Sequence, residues 1–314
     1  MSLIAGEVEL FEAQRNRLGA IAYRLLGSAS EAEDAVQETF LRWQSADRTS
    51  IQVPEAWLTK VLTNLCLNQL TSARARRETY VGQWLPEPVI EGHPLLDPAD
   101  TAEQRESVSL AVMVMMERLS PAERAVYVLR EAFAYPHSEI AEILDITEAG
   151  SQQTYSRAKR HVSADKTRTE VDPATARKIV EEFLAAATSG QTDTLVKLLT
   201  DDSIAIGDGG GKVVARLVPV RGALEVAKFI RGLFKPSKAK REMLGGWPDL
   251  YLTRANGDPA LVVAIGDRIV GTMTFEISGG RVSAIRNVAN PDKLVVLERH
   301  WKHIEHPEPA YKGE

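Results

Sequence analysis

Residues 119–162 constrain the fold most strongly, because they read as three short helices joined by tight turns. Ser120, Pro121 and Glu123 match the start of a helix, with a hydroxyl cap, a proline at the first helical position and a nearby carboxylate. Two more helices follow around a turn at residues 145–146, and the last one ends in basic residues. Two helices joined by so short a turn are typical of a helix-turn-helix, which predicts DNA binding.

Length and charge limit how such a chain can work. Its 314 residues exceed one small domain and predict two or three. The net charge of −5 excludes binding to nucleic acid by bulk attraction, so any DNA contact must use local basic patches. Cys66 is the only cysteine, which excludes an intrachain disulfide and a cysteine zinc site. The chain has no apolar run near the roughly 20 residues of a membrane span and no signal sequence, so we expect a cytoplasmic protein without a membrane partner.

Helical patterns also fill residues 7–80. In the second helix, SEAEDAVQETFLRWQ, Glu31, Asp34 and Glu38 form an acidic row with Gln37 beside it. On most helices such a row is a solvated face, so it does not assign a function by itself. The acidic surface would suit a basic protein partner.

The third helix begins at Pro54 and carries Lys60, Asn64 and Asn68 at intervals of four residues. This row is polar, contains no acid and continues towards Arg74, which suits contact with a polyanion. Ordinary exposure to solvent explains such a row equally well.

Residues 81–102 interrupt the helical pattern with four prolines and two glycines. This composition predicts a linker or a docked extended segment. Trp84 and Leu85 favour docking, because a solvated linker has no need of two large apolar side chains. A helix from about Ala102 to Leu119 is expected to follow.

A second boundary falls at the charged residues 165–172, and the character of the sequence changes from Pro173. Two helices precede a series of strand patterns, which are SIAIG, KVVARLVPV, YLTRANG, ALVVAIG, RIVGTMTFEIS and RVSAIRNVAN, with one helix between the second and the third. The glycine-rich DGGGK before KVVARLVPV reads as a hairpin turn. Helices first and then a meander of strands predict an α+β domain with a curved antiparallel sheet.

Three segments resemble bacterial extracytoplasmic-function sigma factors of the sigma-70 family: AEDAVQETFLRW, PEAWLTKVLTNLCLN and SRAKR. In that family the first grips the clamp helices of the polymerase β′ subunit, the second opens and reads the minus-ten promoter element, and the third reads the minus-thirty-five element. The resemblance covers about residues 8–164. It implies an alternative sigma factor that binds core RNA polymerase, at the β′ clamp helices and the β flap, and directs initiation at its promoter DNA.

Three further segments, WLPEPV, DGGGK and NPDKL, resemble the marks of a subgroup with a fused C-terminal SnoaL-like domain in place of a separate anti-sigma factor. The resemblance therefore implies regulation in cis, through an intramolecular contact of the SnoaL-like cone with region 2 and the linker. It implies a multidomain chain: an all-α region 2 bundle (1–82), a linker with WLPEPV (83–101), an all-α region 4 helix-turn-helix (102–165), an α+β SnoaL-like cone (172–298) and a tail (299–314).

The resemblance also assigns the site residues. Contact with core polymerase falls to Asp34, Gln37 and Glu38, whose polar groups would set register on a basic coiled coil. Contact with the minus-ten element falls to Lys60, Asn64, Asn68, Arg74, Arg76 and Arg77. Contact with the minus-thirty-five element falls to Gln152, Gln153 and Ser156 on base edges, and to Arg157, Lys159 and Arg160 on phosphates. The residues expected to be regulatory are Trp84, Leu85, Pro86, Glu87, Pro88, Asp208, Gly209, Gly210, Gly211, Lys212, Asn290, Pro291, Asp292, Lys293 and Leu294.

The recognition helix departs from the family pattern at its start. Ser151 stands where a hydrophobic residue is usual, after Gly150, and Thr154 stands where a basic residue is common. The changes at Ser151 and Thr154 are expected to weaken this helix. Gly150 adds to the effect, since glycine costs up to about 1 kcal/mol relative to alanine in a helix interior.

An enzyme is the main alternative for the C-terminal domain, because SnoaL-like cones include polyketide cyclases. The predicted cone contains no histidine, which excludes histidine acid–base chemistry in its cavity. DGGGK lacks the spacing of a phosphate-binding loop. His300, His303 and His306 precede two prolines and suggest a frayed tail rather than a metal site. We therefore expect no catalytic residue, metal or cofactor, and interpret the domain as regulatory.

Two other classes of function remain open at this stage. One is a regulator that binds DNA without polymerase, and the other is a cyclase-like ligand-binding enzyme fused to a DNA-binding module.

Overall fold

The computed structural model describes residues 5–96, 107–163 and 171–313, without the side chains of residues 5, 73–78 and 163. The chain divides into two compact units. The first unit comprises Met1–Thr79 and Gly92–Lys166, and the second comprises Tyr80–Glu91 and Thr167–Glu314. The segment Tyr80–Glu91, which carries WLPEPV, therefore folds with the C-terminal part of the chain.

The first unit begins with a bundle of helices. These are α1 (Ala5–Leu26), α2 (Ala29–Ser45) and α3 (Pro54–Glu78), with a short 3-10 turn at Arg48–Ser50. Ser28 caps α2 by accepting a hydrogen bond from the amide of Glu31 at 3.1 Å. The apolar stripes of the three helices meet around fully buried side chains such as Phe11, Leu25 and Leu62.

The remaining described residues of the first unit are mostly helical. They contain a 3-10 turn at Pro94–Leu96 and the helices α4 (Leu110–Met116), α5 (Pro121–Glu131), α6 (His137–Leu144) and α7 (Glu148–Ser163). The predicted capping box is present, since Ser120 and Glu123 exchange hydrogen bonds between side chain and backbone. Of the helix expected from about Ala102 to Leu119, the described residues 107–119 form a helix only over Leu110–Met116. Ala102 lies outside the described residues, and Ser109 caps a helix that begins at Leu110.

The second unit is α+β, as predicted. Helices α8 (Pro173–Thr188), α9 (Thr192–Leu198), α10 (Ala223–Phe234), α11 (Lys238–Leu244) and α12 (Val295–Trp301) accompany strands β1 (Leu199–Asp208), β2 (Val220–Arg221), β3 (Asp249–Ala255), β4 (Asp258–Ile265), β5 (Arg268–Ser278) and β6 (Arg281–Val288). A 3-10 turn at Pro291–Lys293 precedes α12. The sheet order is β2-β1-β6-β5-β4-β3. The sheet is mixed rather than wholly antiparallel, because β1 pairs with β6 in parallel.

An apolar core fills the space between the helices and one face of the sheet. Along β5, Met273, Phe275 and Ile277 alternate towards this core, as the two-residue period of a strand requires. Phe275 meets Phe183 of α8 edge-on, with ring centroids 5.4 Å apart. The cluster consists of apolar side chains, so the cone is packed.

The predicted strand KVVARLVPV is wrong for most of its length. Only Val220–Arg221 pairs with β1, and residues 212–219 form a loop. The segment lacks the alternation of a half-buried strand, and Pro219 has no amide hydrogen to donate to a ladder. DGGGK therefore begins a long loop and not a tight hairpin.

The frayed C-terminal tail is also a wrong prediction. Tyr311 pairs with Leu250 at the free edge of β3, and the ring of His306 stacks on that of Trp301 at 4.6 Å. The edge of β3 offers unpaired backbone groups, which the tail satisfies. Among the described residues, no three histidine, cysteine or acidic side chains come together as a metal site.

Candidate functional site

Helix α7 presents its predicted contact residues on one solvent-facing side. The six residues assigned to the minus-thirty-five element are all exposed, namely Gln152, Gln153, Ser156, Arg157, Lys159 and Arg160. The opposite side packs into the unit through Ser151, Ala158 and Val162, which are buried. A helix with this pattern can lay its polar side in a DNA major groove.

The cations of α7 are not equally available to DNA. Lys159 Nζ lies 3.2 Å from Glu131 Oε1 and 3.0 Å from the hydroxyl of Tyr155, and these hydrogen bonds raise its pKa. Arg157 Nε lies 3.8 Å from Glu123 Oε1. Of these cations, Lys159 is therefore the one held most closely against α5. It is less available to bind a DNA phosphate than Arg157 or Arg160.

The departures at the start of α7 are accommodated by the fold. Ser151 is 0% exposed, and its hydroxyl lies 2.9 Å from Nδ1 of His137 at the start of α6. The amide of Gly150 donates to the hydroxyl of Thr147 at 3.0 Å, which caps the helix. A polar pair therefore replaces the usual hydrophobic contact. The predicted weakening at Ser151 is offset by this hydrogen bond.

The polar row of α3 meets the helix-turn-helix within the first unit. Lys60 Nζ donates to Asp145 Oδ1 at 2.6 Å and to the carbonyl of Glu142 at 2.8 Å. Asp145 is the left-handed residue of the turn between α6 and α7, with φ of 54°. The hydroxyl of Thr59, the residue immediately before Lys60, lies 3.1 Å from that of Tyr135. A residue assigned to the minus-ten element is thus bound to the turn of the other DNA reader.

The remaining residues of that assignment are distributed along α3. Asn64 is half-buried and Asn68 is exposed. Arg74, Arg76 and Arg77 fall within α3, but their side chains lie outside the described part of the chain.

The acidic row of α2 faces solvent. Asp34 and Gln37 are exposed, and half-exposed Glu38 pairs with Arg42 one turn later at 2.9 Å. Exposed pairs of this kind are worth about 0.3–0.5 kcal/mol, so Glu38 can exchange Arg42 for another cation at little cost.

Asp208 is the centre of a buried polar cluster in the second unit. It is 1% exposed, and Oδ1 accepts hydrogen bonds from the hydroxyl of Tyr80 at 2.6 Å and the amide of Gly210 at 3.1 Å. Its other oxygen, Oδ2, accepts from the amide of Leu85 at 2.8 Å and from Lys293 Nζ at 2.6 Å. Every lone pair of the carboxylate is thus directed at a donor.

Lys293 supplies the compensating charge. It is 7% exposed, and its Nζ also donates to the carbonyl of Leu85. The ammonium lies 4.2 Å from the ring centroid of Trp84 and 4.7 Å from that of Tyr80. Two aromatic faces and a carboxylate therefore replace the water that a buried lysine would lose.

Tyr80 and Asn290 complete what we call the Asp208–Lys293 cluster, which comprises Tyr80, Trp84, Asp208, Asn290 and Lys293. Asn290 Nδ2 donates to the Tyr80 hydroxyl at 2.8 Å. Burial and the adjacent Asp208 carboxylate raise the pKa of Tyr80, so the phenol stays neutral and donates. WLPEPV, DGGGK and NPDKL, which are far apart in sequence, each contribute a member.

The linker segment remains docked beyond the cluster. The amide of Val89 donates to Asn256 Oδ1 at 3.0 Å, and the amide of Asn256 donates to the carbonyl of Val89 at 2.9 Å. The amide of Glu91 donates to the carbonyl of Arg254 at 3.0 Å. Of the two readings that the sequence allowed, the docked extended segment is the one observed.

Tyr80 is the member of the Asp208–Lys293 cluster that the sequence did not reveal. It precedes WLPEPV and contacts Asp208, which lies 128 residues away. The sequence carried only an indirect signal for this contact. Asp208 is a charged residue at the end of a strand pattern, and it would need hydrogen-bond donors if it were buried.

Comparison with known proteins places these features in a family. Residues 10–76 match the model for sigma-70 region 2, and residues 109–162 match that for sigma-70 region 4. The extracytoplasmic-function RNA polymerase sigma factor SigJ of Mycobacterium tuberculosis is 40% identical over 296 residues, which cover 92% of this chain and 93% of that protein. The probable sigma factor SigI of the same species is 31% identical over 292 residues, covering 90% and 93% of the two chains.

One solved structure agrees with this membership. The crystal structure of M. tuberculosis SigJ matches with a TM-score of 0.70 and 37% identity, covering 92% of this chain and 98% of that one. A complex of the Bartonella quintana sigma factor RpoE with the anti-sigma factor NepR matches with a TM-score of 0.40 and 18% identity, covering 51% and 96% of the two chains. No helix of the described residues is long and apolar enough to cross a membrane. The chain belongs to the extracytoplasmic-function family of RNA polymerase sigma factors.

Proposed function

We propose that this sigma factor reads its promoters through α3 and α7 on core RNA polymerase, and that its C-terminal unit modulates initiation in cis. Membership of the family makes it a transcription factor that binds core polymerase and promoter DNA.

The exposed row of α2 is our candidate for the polymerase contact. Asp34, Gln37 and Glu38 lie on one face of a helix with solvent before them. They would pair with basic groups on the β′ clamp helices, and such pairs set register and association rate more than affinity. The helix-turn-helix would dock on the β flap.

Reading both promoter elements requires α3 and α7 to separate. The names of the elements put them about 25 base pairs apart, which is about 85 Å at 3.4 Å per base pair. Lys60 and Asp145 are hydrogen-bonded at 2.6 Å, so the conformation described here cannot span that distance. Polymerase binding would supply the free energy that parts them and frees Lys60 for the minus-ten element.

The observation that carries control in cis is the Asp208–Lys293 cluster. It fastens Trp84 and Leu85 to the C-terminal unit, only a few residues after the end of α3 at Glu78. Because the segment and its docking site share one chain, even a weak contact is highly populated. If this segment detached from the C-terminal unit, the expected contact of the cone with region 2 would also be lost. Helix α3 would then be freer to move on the polymerase.

We expect the C-terminal unit to act without catalysis and without a separate anti-sigma factor. The core cluster between its helices and sheet is built from apolar side chains such as Phe183, Met273 and Phe275, and these side chains cannot perform acid–base chemistry. The B. quintana structure holds an anti-sigma factor, but its TM-score of 0.40 is too low to carry an argument for this chain. The absence of an anti-sigma partner stays a prediction.

The test is transcription with core polymerase on a promoter fragment that the holoenzyme selects from random sequence. The full chain is compared with a chain ending near Ala164 and with Lys293→Met, which removes the buried cation. Altered output from both variants, with unchanged core binding, supports control in cis. Identical output from all three proteins would reject it, and no promoter-specific output at all would reject the assignment of the two reading helices.

A further inference from the structure

The loop that follows β1 has a base held in one conformation. The amides of Lys212 and Val213 both donate to the carbonyl of Gly209, at 3.0 and 3.1 Å. Gly210 and Gly211 adopt φ values of 59° and 72°, which side chains rarely tolerate. A side chain at Gly210 would also collide with Asn290. The loop therefore projects its later residues from a rigid base.

The tip of this loop exposes apolar side chains. Val214 is 89% exposed, Val218 is 72% exposed and Leu217 is 61% exposed. Three neighbouring aliphatic side chains held in water by an ordered loop are unfavourable in an isolated protein. Such groups usually mark a surface that a partner covers.

The charge of the loop identifies the chemistry of that partner. Residues 209–221 contain Lys212, Arg216 and Arg221 and no acidic residue, within a chain of net charge −5. Lys212 pairs with Asp292 at 2.6 Å, whereas Arg216 and Arg221 are exposed, and Arg216 also lies over the ring of Phe229 at 5.8 Å from its centroid. Cations interleaved with aliphatic side chains suit nucleic acid, where phosphates meet the cations and sugar and base faces meet the apolar groups.

The linker contacts this loop and begins just after α3, the helix proposed to read the minus-ten element. Gln83 Nε2 donates to the carbonyl of Leu217 at 3.4 Å, and Val81 packs beside Gly211. Val81 is three residues beyond Glu78, the last residue of α3. At about 3.4 Å per extended residue, the covalent chain alone keeps Val81 within about 10 Å of that helix end.

We propose that residues 209–221 form a third DNA contact, which binds promoter DNA next to the segment that α3 reads. Arg216 and Arg221 bind phosphates, and Val214, Leu217 and Val218 cover the sugars and bases of the opened strand. This contact rests on the placement of α3 at the minus-ten element and does not depend on control in cis. It makes the C-terminal unit a direct participant in promoter binding.

The first test measures binding of the holoenzyme, assembled from core polymerase and the full chain, to a selected promoter fragment left unpaired at the minus-ten element. Arg216→Gln with Arg221→Gln should weaken binding about tenfold. It should also lower the slope of log Kd against log salt by about 1.4 to 1.8, since each lost phosphate contact removes about 0.7 to 0.9. The control is Lys235→Gln with Lys238→Gln, an equal charge change at exposed sites of the same unit, which should leave the slope unchanged.

The second test replaces Val214 with a photoreactive residue and irradiates the holoenzyme–promoter complex. Crosslinking to DNA near the minus-ten element is expected, and the same residue at exposed Val295 should give none. A protein-docking role is tested by measuring the affinity of the double variant for core polymerase without DNA, which should be unchanged. The proposal is overturned if the Arg216→Gln, Arg221→Gln variant keeps the parental salt slope, or if the Lys235→Gln, Lys238→Gln variant lowers the slope equally. It is also overturned if the affinity of the arginine variant for core polymerase falls, or if the residue at position 214 crosslinks only to polymerase or to a second copy of the chain.

Discussion

Asp208 shows how one buried carboxylate can organise distant segments. It accepts hydrogen bonds from donors on Tyr80, Leu85, Gly210 and Lys293. Burying a charge is costly, and only a complete set of partners offsets that cost. Such a carboxylate therefore favours one arrangement of the linker, because any other arrangement would remove the two donors that Tyr80 and Leu85 supply.

Lys293→Met should destabilise the C-terminal unit, because Asp208 would remain buried without its counter-charge. Removing one partner of a buried ion pair typically costs about 3–5 kcal/mol. Urea unfolding followed by tryptophan fluorescence measures the change. Lys212→Met is the matched control, since its 2.6 Å pair with Asp292 is exposed and exposed pairs contribute about 0–1 kcal/mol. Equal losses for the two variants would contradict the role given to the buried pair.

Tyr80 should make stability fall in alkaline solution. Its folded-state pKa is raised, so above the unfolded-state value of about 10 the unfolded chain releases a proton that the folded chain keeps. Stability from this group is complete below about pH 10 and is lost as pH rises towards the folded-state pKa. Tyr80→Phe should remove up to about 1.4 kcal/mol per pH unit from that decline. A parental and a variant protein with the same slope between pH 10 and 11 would contradict the shift.

At the scale of helices, α3 is hydrogen-bonded to the helix-turn-helix, and both are proposed to read DNA. The same face of α3 that carries Lys60, Asn64 and Asn68 supplies the hydrogen bonds to the turn between α6 and α7. The sequence predicted both helices and their polar faces, because amphipathic period and capping are local properties. It did not predict their contact, since Lys60 and Asp145 are 85 residues apart and neither has a local signal for the other.

Asp145→Asn should favour the separated state of α3 and α6, and asparagine tolerates the left-handed backbone at φ 54° that alanine would strain. The Lys60–Asp145 pair is largely exposed, so its loss is worth about 1 kcal/mol or less, equivalent to at most about a fivefold shift. Spin labels at Asn68 and Gln153 report the distance distribution, which should broaden towards longer distances. Glu139→Ala removes an exposed acid from the same helix α6 and should leave the distribution unchanged. A broadening of equal size in both variants would show a general charge effect instead.

Helix α7 should divide its residues between specificity and affinity. Gln153→Ala should relax base preference at one position of the minus-thirty-five element by about 1–3 kcal/mol. Arg160→Ala should weaken binding to all sequences and lower the salt slope by about 1. Selection from randomised minus-thirty-five elements with the holoenzyme distinguishes the two outcomes, and Lys159→Ala should have a smaller effect than Arg160→Ala because Lys159 is bound to Glu131.

At the scale of the whole molecule, each compact unit contains segments that are not consecutive in sequence. Tyr80–Glu91 lies between two segments of the first unit in sequence, yet it belongs to the second unit. Backbone hydrogen bonds at Leu85, Val89 and Glu91 hold it there. The chain must therefore leave the first unit, dock on the second and return.

Amide hydrogen exchange of the full chain should reveal this arrangement. The amides of Leu85 and Val89 should exchange slowly, as buried hydrogen-bonded groups do, although the composition around them is that of a linker. Lys293→Met should accelerate exchange at Leu85 by at least tenfold and leave α2 unchanged. Rapid exchange at both amides in the parental chain would contradict the docked segment.

The sequence by itself determined the helices, their caps, the α+β character of the C-terminal unit and the family. These depend on hydrophobic period, turn residues and short motifs, which act over a few residues. The helix-turn-helix of residues 119–162 belongs to this class, and the structure adds that its turn is bound by Lys60. Only the tertiary structure decided the parallel β1–β6 pair, the loop in place of a strand after DGGGK, the docked tail and the Asp208–Lys293 cluster. Each depends on which distant groups satisfy a buried charge or a free sheet edge, and that choice is made by the folded chain as a whole.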